Sequence, residues 1–220
     1  MDAISRILKE KKVVLFDFDG TLVDSMPTFV SVMLRILDER GIKYGDGIVK
    51  TITPLGYQGT AEHFTALGAK EEKDELVRLM KEYAREAYET TVPLKAGVYD
   101  TLIKLHERGD SLNVLTASPH AMLDPCLKRV GVYDLFDNVW SSDDFGLPKS
   151  IPQIYRFAAR RLGCDVSEVI FVDDNIGAVK TAAAAGMRAY GIYDPSSADS
   201  ECEMREVAER YLKNFSELLS

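Results

Sequence analysis

The sequence predicts an α/β fold: a doubly wound, mostly parallel sheet carrying a small inserted all-helical domain. Three observations predict it. Five short apolar runs read as strands: Val13–Phe18, Leu112–Thr116, Asn138–Ser141, Val169–Asp173 and Arg188–Ile192. Helical patterns alternate with the later runs, near Val98–Glu107, Ala121–Val130, Ile151–Leu162 and Ile176–Ala185. Such alternation gives a parallel sheet covered on both faces. The first two runs are also separated by a segment too long for a simple crossover, with helical patterns of its own.

The elements follow in chain order. Val13-Val14-Leu15-Phe16 has no polar alternation, as expected of an interior parallel strand. Asp17-Phe18-Asp19-Gly20-Thr21 follows at once and places two acids at the strand's tip. Buried acids need a metal, a hydrogen-bond shell or a chemical role. Gly20 permits a sharp turn beside whatever they hold. Phe29, Met33 and Leu37 then recur every four residues, as do Leu76, Met80, Tyr83 and Ala87 after the acidic start Glu71-Glu72. Both patterns read as amphipathic helices. The expected division is a helical domain over 26–92, ending near Pro93, inserted into a Rossmann-like core of 1–25 and 93–220. Helices merely covering one face of the sheet are the alternative.

Three later sites fall at or just beyond predicted strand C-termini, the edge where open parallel sheets bind ligands. In Thr116-Ala117-Ser118-Pro119, Ser118 reads as a helix N-cap and Pro119 as the first helical residue. Thr116 then stands at the strand tip, where its hydroxyl and nearby backbone N–H groups can grip an oxyanion, unless it is only structural. In Lys149-Ser150-Ile151-Pro152-Gln153, Ser150 and Gln153 have capping-box spacing. That puts Lys149 just before a helix N-terminus, a place for an anion, or else on a solvated surface. In Asp173-Asp174-Asn175, one acid is expected to cap the next helix and the other to reach a cation. Asp17, Asp19, Asp173 and Asp174 would repel one another unless a cation sat among them. Hard carboxylate oxygens suit Mg²⁺. A calcium-loop reading fails, since the glycine comes too early and Thr28 stands where the loop's final glutamate belongs.

Composition excludes several classes. The chain has 220 residues, 46% of them apolar, and a net charge of -8 without a long basic run. That argues against broad nucleic-acid binding and against an anionic membrane surface. A small anionic substrate stays open, because a cation and one lysine can reverse the field locally. Cys126, Cys164 and Cys202 form no CxxC pair, consistent with a reduced, cytoplasmic setting. His63, His106 and His120 lack zinc-site spacing. Met1 to Lys12 shows no signal-peptide core, and no apolar run approaches the roughly 20 residues of a membrane helix.

Together the four ordered sites and the helical insertion resemble the haloacid dehalogenase-like superfamily of phosphotransferases. Asp17-Phe18-Asp19-Gly20-Thr21-Leu22-Val23-Asp24-Ser25 looks like its first motif, Thr116 the second, Lys149 with Pro152 the third, and Asp173-Asp174 the fourth. The similarity is greatest to the phosphoglycolate phosphatase and β-phosphoglucomutase-like branch, which carries a helical cap. The resemblance implies a Mg²⁺-dependent phosphatase acting on a small phosphorylated metabolite through an aspartyl-phosphate. Asp17 would be the nucleophile and Asp19 the general acid and base. Thr116, Ala117 and Lys149 would bind the phosphoryl group. Asp17, the carbonyl of Asp19, Asp174 and Asp173, directly or through water, would hold the cation. A monomer is expected, with a dimer left open.

Departures from the family pattern narrow this. Ser150 replaces a common proline. Pro54-Leu55-Gly56-Tyr57-Gln58-Gly59 lacks the arginine of a mutase's sugar-phosphate grip, and Met26–Met33 lacks its histidine. Hydrolysis is therefore preferred to sugar-phosphate isomerisation. Asp19 separates the chain from dehalogenase and phosphonatase relatives. A non-catalytic phospho-acceptor module, resembling a receiver domain, would lack both this acid and the insertion. Gly56, Tyr57 and Gln58 are expected in a Gly-flanked turn that selects substrate or simply joins two helices.

Overall fold

The computed structural model describes residues 11–220. The expectation that Met1–Lys12 holds no signal-peptide core falls, but for its last two residues, outside the described residues. The chain divides into two compact units, one running up to Asp24 and resuming at Pro93, the other Ser25–Val92.

The first unit is built on a six-stranded sheet. Its strands are β1 (Val13–Phe16), β2 (Ser111–Thr116), β3 (Asn138–Ser141), β4 (Val169–Asp173), β5 (Arg188–Ile192) and β6 (Arg210–Leu212), in the order β3-β2-β1-β4-β5-β6. Every pairing is parallel. The strand order reverses between β1 and β4, so the crevice beyond their C-termini is the ligand-binding position of such a sheet. β1 is shorter than the expected Val13–Phe18. Asp17 N still donates to Val172 O at 2.9 Å, but Leu22 and Val23 then donate to Phe18 O and Gly20 N to Val23 O. Those bonds curl the chain into a turn with Phe18 buried inside it. β6 is an addition to the five expected strands. It has three residues, of which Leu212 alone is buried, too few for a readable period.

The second unit contains α1 (Met26–Glu39), α2 (Ile48–Ile52), α3 (Gly56–Ala66) and α4 (Lys73–Thr90). Met33, Ile36 and Leu37 of α1 meet Phe64 of α3 and Leu76 and Met80 of α4 in a core of its own. The four-residue spacing in the sequence is the spacing of these buried stripes.

Among the described residues, five further α-helices belong to the first unit: α5 (Val98–Glu107), α6 (His120–Arg129), α7 (Gln153–Leu162), α8 (Ile176–Ala185) and α9 (Glu201–Val207). Both faces of β1 are covered, because successive side chains point to opposite sides. Leu15 joins Phe171, Tyr155 and Ala158 of α7, and Val179 and Ala182 of α8. Phe16, on the other face, stacks on Phe215 at 5.7 Å and meets the edge of Phe136 at 6.3 Å. The alanine run of α8 buries Ala182 and Ala185 against this core.

Candidate active site

The acids at the strand tips meet because of register. Phe16 of β1 pairs with Val172 of β4, so the next residues, Asp17 and Asp173, stand side by side at the crevice. Lys149 bridges them: its Nζ donates to Asp17 Oδ1 and, at 2.7 Å, to Asp173 Oδ2. Asp174 turns toward the loop after β1. Its Oδ1 accepts from the Thr21 hydroxyl at 3.2 Å, and its N–H donates to Thr21 Oγ1 at 3.1 Å. Asp17, Asp173 and Asp174 each offer a carboxylate oxygen within 4.8 Å of the others. All three are buried.

One ammonium cannot balance three buried carboxylates. Burial works against the charge of Lys149, but Asp17 and Asp173 hold its proton and raise its pKa. Burial, opposed by Lys149 and reinforced by Asp173 and Asp174, holds the Asp17 carboxyl well above the usual range. Asp174 is pushed up to about 7, first by burial and then by the charge of Asp173. The surplus of negative charge and the hard oxygen donors fit a divalent cation such as Mg²⁺. Gly20 is shaped to the same cluster. Its φ is +74°, and a Cβ there would lie 2.7–2.8 Å from the Asp174 carboxylate.

Asp19 and Thr116 meet through a residue given another role above. The Ser118 hydroxyl donates to Asp19 Oδ2, and Ser118 N–H donates to Thr116 Oγ1 at 3.1 Å. Ser118 is therefore not the N-cap of α6. That position falls to Pro119, and no side chain caps the helix. Thr116 is buried at the end of β2, and Ala117 is exposed beside it. The Ser150–Gln153 capping box does not form either. Pro152 is the N-cap of α7, without a side-chain cap bond. Lys149 is thus not placed by the helix start but from below. The Tyr155 hydroxyl donates to Lys149 O at 3.0 Å, and Nζ lies 5.3 Å from the Phe171 ring centroid. Neither Asp173 nor Asp174 caps α8. Asn175 does, its side chain accepting from Ala178 N–H at 3.1 Å. Asp173 instead accepts from Asn175 N–H at 2.7 Å.

In the helical unit, Gly56, Tyr57 and Gln58 are not a free turn. They open α3, with Gly56 at φ +60°, and the Tyr57 ring packs 5.4 Å from Phe29. The sequence assigns Thr21 and Tyr155 no role, and Ser118 only that of a cap. Thr21 and Ser118 lie inside the quoted motifs, but Tyr155 reads there only as a core position of α7.

A model of the haloacid dehalogenase-like hydrolase family matches residues 11–186. The chain belongs to the haloacid dehalogenase-like hydrolases. Among its relatives, pyrophosphatase PpaX of Bacillus velezensis is 33% identical over 185 residues, 84% of each chain. A phosphoglycolate phosphatase of Yersinia pseudotuberculosis is 28% identical, covering 81% of this chain and 79% of that protein. In fold, this hydrolase is similar to the HAD-superfamily hydrolase, subfamily IA, of Geobacter sulfurreducens. The TM-score is 0.77 at 21% identity, with 95% of each chain covered.

Proposed function

We propose that this hydrolase is a Mg²⁺-dependent phosphatase that cleaves a small phosphomonoester through a phosphoryl group carried on Asp17. The observation that carries the reading is the Lys149 bridge between Asp17 and Asp173, beside Asp174, with Asp19 two residues after Asp17 in the chain and held by Ser118. The names of its phosphatase relatives support the reaction class. Asp17, Asp173 and Asp174, with the carbonyl of Asp19, would hold the cation. When bound, the cation supplies charge neutralisation that leaves Asp17 ionised and offsets the phosphoryl charge.

The chain's own groups then do the chemistry. An Asp17 carboxylate oxygen attacks phosphorus, and the bond from phosphorus to the ester oxygen breaks. Asp19 gives its proton to the departing oxygen, with the Ser118 hydroxyl fixing its orientation. Asp19 next takes a proton from the water that attacks the same phosphorus, and phosphate leaves as Asp17 is restored. Lys149, Thr116 and the N–H of Ala117 hold the phosphoryl oxygens, because positioning and charge stabilisation dominate phosphoryl transfer.

The first unit is read as the catalytic core and the helical unit as its cap. We assign substrate choice to the start of α3, where Tyr57 is committed to Phe29 and Gly56 and Gln58 are exposed. All the residues used come from one chain, so a monomer suffices. Three free cysteines support a cytoplasmic setting. No helix among the described residues is long and apolar enough to cross a membrane.

Phosphate release from a panel including phosphoglycolate, sugar phosphates, nucleotides and pyrophosphate, with and without Mg²⁺, tests the reaction class. Mg²⁺-dependent release from at least one small ester is expected; a panel silent at all Mg²⁺ concentrations contradicts it. The pH dependence has a definite sign. Below about 7 a proton competes for Asp174, so Mg²⁺ affinity, read by isothermal titration, should weaken as pH falls through that value. Affinity that does not change across this range would contradict the assignment of Asp174. Gly20→Ala should unseat Asp174 and lower turnover by about 100-fold. The left-handed backbone alone should cost about 1–2 kcal/mol, read as a lower Tm.

A further inference from the structure

Lys95 lies just past the point where the chain re-enters the first unit, and it belongs to none of the four motifs. Leu94 bridges Val23, and Lys95 N–H donates to Leu22 O at 3.0 Å, so the returning chain is laid along the loop that follows β1. The side chain then reaches inward. Its Nζ donates to Gly20 O at 2.6 Å, to Tyr193 O at 2.8 Å and to Asp194 Oδ2 at 2.8 Å. An ammonium has three N–H donors, and all three are used. The Asp194 carboxylate is 2% exposed, and its other oxygen accepts from Ser196 N–H at 2.9 Å and from the Ser196 hydroxyl at 2.5 Å. Asp194 is buried and Lys95 half-buried, so this is a partly desolvated ion pair with its hydrogen bonds satisfied, whose side chains are held in one place.

Gly20 O belongs to the peptide that joins Gly20 to Thr21. Gly20 is the residue whose bare Cα faces the Asp174 carboxylate, and Thr21 is the residue whose hydroxyl bonds Asp174 on both sides. Tyr193 and Asp194 follow β5, the neighbour of β4, which ends at Asp173. One ammonium therefore ties the loop after β1 to the segment after β5. Its charge is cancelled locally by Asp194. A lone lysine there would compete with a cation for Asp174; a paired one holds the peptide and leaves that negative charge available.

We propose that Lys95, with Asp194 as its counter-charge, is a positioning residue for Asp174, acting through the Gly20–Thr21 peptide and setting the affinity of the carboxylate cluster for a divalent cation. The inference rests on the reading of Asp17, Asp173 and Asp174 as a cation site. The test is the dissociation constant of Mn²⁺, read by electron paramagnetic resonance of the free ion, together with KM at saturating Mg²⁺. Lys95→Met should weaken Mn²⁺ binding by about 10–100-fold, the loss typical when a group supporting a metal ligand is removed. KM at saturating Mg²⁺ should stay as in the wild type, because Lys149 and Thr116 are untouched. Asp194→Asn, which keeps the lysine but frees its charge, should also weaken Mn²⁺ binding, and Lys95→Arg should restore part of it. Should Lys95→Met fail to fold, Asp194→Asn and Lys95→Arg carry the test. Wild-type Mn²⁺ affinity in Lys95→Met or in Asp194→Asn, with or without a lower Tm, overturns the inference. A wild-type protein that binds no Mn²⁺ overturns the cation reading itself.

Discussion

Asp17→Asn is expected to abolish phosphate release, by on the order of 10⁴-fold or more, since removing a nucleophile leaves only binding and charge stabilisation. The same variant is expected to fold at least as well as the wild type when no cation is present. The sign follows from burial. The Asp17 carboxyl is held above its usual range, so the folded state favours its protonated form and ionisation works against folding. That penalty is absent at low pH and complete once pH exceeds the raised value. Asparagine removes it, while Lys149 keeps Asp173 as partner. Near neutral pH the cation-free variant should therefore melt no lower than the wild type. A loss of activity accompanied by a lower Tm would point to a structural role instead. Phosphate assays and thermal melts on one preparation separate the two.

Lys149→Met is expected to have the opposite stability signature. It leaves Asp17, Asp173 and Asp174 buried with no cationic partner among them. Removing one member of a buried ion pair typically costs about 3–5 kcal/mol. Added Mg²⁺ should recover much of that loss, because it supplies the missing positive charge, so the Tm gain with Mg²⁺ should exceed that of the wild type. Activity should not recover with it. The phosphoryl oxygens lose a preorganised donor, a loss of about 10²–10³-fold in turnover. Thermal melts and turnover, both across a Mg²⁺ series, read these two effects independently. A variant whose Tm responds to Mg²⁺ no more than the wild type's would show that Lys149 does not balance the cluster.

Much of this architecture is legible in the sequence. β1 and β4 are buried on both faces, so they read as unbroken apolar runs with acids at their ends, and parallel pairing brings those ends together. In Ser25–Val92, α1 and α4 are legible because each buries one stripe at helical spacing, whereas the short α2 and the glycine-opened α3 are not. What failed was local chemistry overruled by distant partners. Ser118 before Pro119 is a reasonable cap by itself, but Asp19, 99 residues earlier, takes its hydroxyl. Asp173 is as good a cap as Asn175, but Lys149 engages it and the asparagine is left to cap α8. β6 was hidden because its short run gains meaning only from pairing with β5. Lys95 carried no signal at all: its three acceptors come from Gly20, Tyr193 and Asp194, which no spacing rule connects.

The claim that a phosphoryl group passes through Asp17 is tested most directly by trapping it. In Asp19→Asn the second step lacks its base, while an aryl phosphate leaves without needing an acid in the first. Acid quenching after mixing this variant with an aryl phosphate and Mg²⁺, followed by peptide mass spectrometry, should find one phosphoryl group on the peptide that contains Asp17, in near-stoichiometric amount. An unmodified Asp17 peptide under conditions where the aryl alcohol is released, or a phosphoryl group on another residue, would contradict the account.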